Sequence, residues 1–60
     1  MPVVILNIRK SLSRDQKRKI VGDFTQTLVT VAGVTPDLVT VLIHEHEAED
    51  IGKAGKLRCD

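Results

Sequence analysis

The sequence has no tryptophan and no tyrosine, and only one phenylalanine, one cysteine and two prolines in 60 residues. Without large rings, any interior must be built from aliphatic side chains, with Phe24 as the sole aromatic anchor. The lone Cys59 excludes an internal disulfide. No apolar run approaches the roughly 18 residues of a membrane-spanning helix. Charge is scarce in net terms as well: nine Lys+Arg against eight Asp+Glu leave +1. Such a balance supplies no general field for gripping nucleic acid or an anionic membrane. The aliphatic stretch after Met1-Pro2 has no basic segment before it, unlike a secretory signal. With a single thiol, the expected setting is the cytoplasm.

What the sequence does have is branched aliphatic residues. Hydrophobic residues make up 42%, mostly Val, Ile and Leu, more than a disordered chain carries. Yet a chain this short, read as one domain over residues 1–60, buries only about 60% of the surface it exposes when unfolded. Small folds without disulfides lean on a metal or on other chains. The surplus of aliphatic residues therefore predicts an obligate oligomer.

Val3-Val4-Ile5-Leu6-Asn7-Ile8 has the length and β-branching of a strand, and its near-continuous apolarity predicts burial on both faces. Pro2, lacking an N–H, suits only the first residue or the edge of that strand. After a loop at Arg9–Leu12, Ser13-Arg14-Asp15-Gln16 reads as a capping box. Ile20, Val21, Phe24, Leu28, Val31 and Ala32 then recur at helical spacing, with Lys17 and Arg18 on the polar side. Gly33 is a natural C′ residue, so the helix is expected over about residues 14–32. Gly22, inside it, suggests a point of close packing on a sheet.

Residues 39–44 form a second strand, with Val39, Val41 and Ile43 on one face and Thr40, Leu42 and His44 on the other. A polar loop at 46–50 and a small glycine-flanked hairpin over 51–57 follow. Strand, helix and strand in this order predict a parallel β-α-β unit. One helix covers one face of two strands, so the other face and the edges call for a second chain.

Pro2 before an aliphatic strand, the Ser13-x-x-Gln16 helix start, and the tract Val41-Leu42-Ile43-His44-Glu45 leading to Ile51-Gly52 and Gly55-Lys56-Leu57 resemble the 4-oxalocrotonate tautomerase family over essentially the whole chain. The resemblance implies an α+β protomer with a short C-terminal hairpin, whose sheet is completed by dimerisation and whose dimers assemble as a hexamer. It also implies an isomerase in which Pro2, freed by removal of Met1, is the general base. That base moves a proton within a small unsaturated 2-oxo or 2-hydroxy acid. The chain departs from the family pattern at three positions: Leu12 and Thr40 stand where arginines are usual, and Ile51 where an aromatic is usual. Thr40 and Ile51 are thus carried over as substrate-contacting positions. Arg9, which matches an arginine of a related dehalogenase subunit, and Lys10 are the local candidates for a carboxylate anchor. Lys53 or Lys56 could serve from another subunit. The partners implied are a small carboxylate and further copies of the chain in a homohexamer, a trimer of dimers.

The chemistry supports the assignment independently. An α-amino group ordinarily titrates near about 7.7–8.0. Burial among aliphatic residues and a nearby guanidinium both disfavour its charged form, bringing a secondary amine toward useful basicity. Cationic donors would stabilise the enolate, so no metal or organic cofactor is required. Two other readings share these residues. Protonated Pro2 with a carboxylate from Glu45, Glu47, Glu49 or Asp50 would make a hydratase or dehalogenase, and a chain lacking its arginines could be the non-catalytic subunit of a hetero-oligomer. His44-x-His46 has a spacing found in metal sites, but no third ligand follows at motif spacing. Lys17-Arg18-Lys19, without an aromatic for base stacking, reads as a solvated helix face.

Overall fold

A computed structural model describes residues 2–60. Strand β1 (Val3–Arg9) leads into helix α1 (Arg14–Ala32), a 3-10 turn at Pro36–Leu38, and strand β2 (Thr40–His46). A second 3-10 turn at Ala48–Asp50 precedes a hairpin of β3 (Gly52–Lys53) and β4 (Lys56–Leu57). β1 and β2 are parallel, from Val3 opposite Thr40 to Arg9 opposite His46. The expected β-α-β unit and its hairpin are therefore present. Both strands run further than the apolar pattern indicates. Arg9 and His46 join the ladder as a pair, and the Lys10 N–H donates to the His46 carbonyl at 2.9 Å. Backbone pairing, blind to side-chain polarity, carries the sheet past its last aliphatic residue.

The helix starts and stops where local chemistry dictates. Ser13 is the N-cap: its hydroxyl accepts from the Gln16 N–H at 3.2 Å, and Gln16 Oε1 accepts from the Ser13 N–H at 2.9 Å. Gly33 ends the helix at φ 71°, the left-handed conformation that favours glycine.

The covered side of α1 differs from the sequence reading. Lys17, Ile20, Val21, Thr25, Leu28 and Val29 are half-buried, whereas Phe24 is 38% and Val31 81% exposed. Nineteen helical residues span about 28 Å, but seven strand residues only about 23 Å. The helix thus outruns the sheet, and Val31 lies in its last turn. Gly22 is exposed, and an added Cβ would meet nothing within 4 Å. It marks no close contact inside the protomer.

On β1, Val4, Leu6 and Ile8 are half-buried while Val3, Ile5, Asn7 and Arg9 are exposed. Within one protomer the strand is thus covered on one face, not two. No described residue is fully buried. The chain exposes 4779 Å², against about 3,900 Å² for a compact monomer of its mass. Its radius of gyration is 14.6 Å, against about 10.4 Å for a globule of this length.

Candidate functional site

Pro2 sits half-buried at the mouth of β1, where it costs the ladder no donor. Its carbonyl accepts the Thr40 N–H at 3.1 Å, so the first residue of β2 fixes the backbone beside the proline. Of the residues singled out in the sequence, Pro2 and Thr40 are brought together. Met1, whose removal the proline chemistry requires, lies outside the described residues.

Arg9 and Lys10 lie at the opposite end of the sheet. Arg9 is the last residue of β1 and is exposed on the face away from the helix. Lys10 follows it and pairs with Glu47 at 3.2 Å, both side chains being more than half exposed. Ile51 lies beyond β2, half-buried, with its carbonyl accepting the Arg58 N–H at 2.8 Å. The length of β1, about 23 Å, separates Pro2 from Arg9. One protomer therefore does not bring its own Pro2 and its own Arg9 to a single small molecule. No cavity is found among the described residues.

Ion pairing sorts the candidate groups further. Lys17 is half-buried and its ammonium bonds Glu45, tying the helix to β2. This corrects the reading of Lys17 as part of a solvated face. Strand alternation held the clue, since Glu45 shares the helix-facing side with Val41 and Ile43. Glu45 and Glu47 each hold a lysine within the protomer. Arg18 pairs with Asp15 at 2.7 Å and Lys19 with Asp23 at 3.1 Å. Among the described residues Arg9, Arg14, Lys53, Lys56 and Arg58 have no carboxylate partner. Arg9 is thus available to an external anion, whereas Lys10 would have to leave Glu47.

Sequence reasoning missed one contact on the open face. His46 Nε2 lies 3.1 Å from Asn7 Oδ1, reaching diagonally across the two strands. No group of three or more His, Cys, Asp or Glu suited to a metal occurs among the described residues. No helix among them is long and apolar enough to cross a membrane.

Comparison with known proteins bears on the same arrangement. The model of the family described as tautomerase enzyme matches residues 2–58, a span that begins at Pro2. A probable tautomerase of Campylobacter jejuni is 35% identical over 57 residues, covering 93% of this chain and 84% of the relative. Among solved structures, a 4-oxalocrotonate tautomerase isozyme of Methylibium petroleiphilum superposes with a TM-score of 0.88 at 31% identity, covering 97% of this chain and 91% of that one. A heterohexameric 4-oxalocrotonate tautomerase of Chloroflexus aurantiacus shares the fold, with a TM-score of 0.88 at 15% identity over 100% and 97% of the two chains. The β-α-β frame, the proline at its entrance and a family match over nearly the whole length lead to one assignment: this chain belongs to the tautomerase family.

Proposed function

We propose that the protein is a tautomerase whose base is the amine of Pro2, exposed by removal of Met1, acting on a small unsaturated 2-oxo or 2-hydroxy acid. The observation that carries this reading is the placement of Pro2: it is half-buried, opens β1, and is held by Thr40 in a chain of the tautomerase family. Acylated, its nitrogen would be a tertiary amide with no useful basicity. Free, it is a secondary amine whose ammonium form is disfavoured by aliphatic surroundings. The neutral amine takes the proton from the enol oxygen or the α-carbon of the substrate, and the ammonium so formed returns it to carbon. A single group poised near the working pH serves both halves of the transfer.

The carboxylate anchor comes from a neighbouring copy. The length of β1 places Arg9 too far from the proline of its own chain, so a working site pairs the Pro2 end of one protomer with the Arg9 end of another. Arg9 then binds the substrate carboxylate and stabilises the enolate, with Lys10, Thr40 and Ile51 shaping its surroundings. The same assembly, a homohexamer on this reading, covers the open sheet face and removes the excess exposed surface.

Intact-mass measurement on the purified chain is expected to show loss of Met1. Pro2→Ala is expected to lower kcat/KM for enol–keto conversion of a 2-hydroxy unsaturated acid by about 100-fold or more. A chain that retains Met1 and is fully active, or a Pro2→Ala variant with unchanged kinetics, would rule this reading out.

A further inference from the structure

The face of the sheet turned away from the helix is divided by chemistry. The register puts Val3, Ile5 and Leu42 toward the Pro2 end, with exposures of 52%, 59% and 43%. Thr40 borders them. Toward the other end stand Asn7, Arg9, His44 and His46, with His44 beside Asn7 and His46 beside Arg9. No carboxylate occupies any of these eight positions. Around them, Glu45 points to the helix side and holds Lys17, while Glu47, beyond the strand end, holds Lys10. The helix, packed on the opposite face, contributes no charge to this one. The histidines therefore share their face with a guanidinium and an amide and with no compensating anion.

We propose that self-association through this open face is proton-linked, with His44 and His46 as the groups that sense pH. The proposal rests on the assembly described above and adds its control. The occupant is a second copy, because the chain exposes about 900 Å² more than a compact monomer of its mass, is elongated at 44 × 23 × 14 Å, and buries none of its described residues completely by itself. Histidine ordinarily changes charge between pH 5 and 8. When copies cover the face with the Arg9 end of one against the Pro2 end of another, an imidazolium loses water against Val3, Ile5 and Leu42 and meets the Pro2 amine and its own Arg9, with no anion from that face. The assembled form therefore holds fewer protons than the separated chains. By linkage, association is strongest at alkaline pH and weakens as the pH falls through the histidine range. The His46–Asn7 contact does not oppose this, since a neutral ring with its proton on Nε2 satisfies it.

Sedimentation velocity of the full chain at pH 8.0 and pH 5.5, at constant ionic strength, tests the proposal, with circular dichroism recorded on the same samples. The wild type is expected to assemble at pH 8.0 and to show an apparent dissociation constant at least about tenfold higher at pH 5.5. The H44Q/H46Q variant should assemble at both values with little difference, which separates histidine linkage from general acid unfolding. Assembly of the wild type that is indifferent to pH would overturn the proposal and leave the oligomer reading standing. So would a double variant that keeps the full pH dependence. A stable monomer at pH 8.0 would remove both.

Discussion

The two faces of one small sheet have opposite fates. Toward the helix, Val4, Leu6, Ile8, Val41 and Ile43 are half-buried, and the Lys17–Glu45 pair ties the layers together. Away from it, Val3, Ile5 and Leu42 are as aliphatic as their neighbours but remain open to solvent, next to Arg9 and two histidines. The difference teaches that aliphatic residues are allotted to both faces of β1 while the chain supplies cover for one. The first face is a property of the protomer. The second, in the proposed assembly, is a surface between protomers, and the catalytic arrangement depends on it, because proline and arginine sit at opposite ends of the same strand.

Adjacent residues on β1 provide the sharpest way to break this contrast. Ile5→Lys puts a charge into the open face and should weaken self-association by about 100-fold or more, since burying an aliphatic side chain contributes about 1.5–3 kcal/mol even before the charge is desolvated. Sedimentation of the variant would show smaller species with lowered activity. If Ile5→Lys assembles like the wild type, the open face is not where copies meet. Leu6→Ala, one residue away on the covered face, should instead lower thermal or denaturant stability by about 2 kcal/mol, toward the low end for a half-buried leucine. Its effect on association should only follow from that loss. Equal consequences from the two substitutions would erase the distinction between the faces. The smallest effect is expected at Gly22→Ala, on the outside of the helix. Chemical denaturation should register a gain of up to about 1 kcal/mol, because alanine restricts the unfolded chain and Gly22 has open space around its Cα. A loss at this position would mean that a further copy packs against the helix.

Much of the fold is legible without coordinates. The capping box at Ser13 and Gln16 and the glycine at position 33 act through bonds a few residues long, so local sequence signals both ends of the helix. The turn of the hairpin is less well served by its sequence. Ala54 adopts φ 53° before Gly55 at φ 81°, and the first of these is a conformation that alanine disfavours by about 1–2 kcal/mol. The glycines therefore locate a turn whose form they do not announce. How far the helix is covered also escapes the sequence pattern, at Val31, because spacing gives a stripe but not how far the strands extend beneath it. The site is legible as a set of residues but not as a geometry. Pro2 beside Thr40 follows from where β2 begins, and the gap to Arg9 follows from strand length once both residues are known to lie on one straight element.

By itself the sequence determined the order of elements, the ends of the helix, the family resemblance and the shortage of interior, since each rests on local bonding or on composition. Tertiary structure alone decided the register, and with it which side chains share a face. The register put Lys17 onto Glu45 and two histidines beside Arg9 on the open side. Neighbours across a sheet are far apart in the chain, and no local pattern fixes which residue of one strand stands opposite which residue of the next.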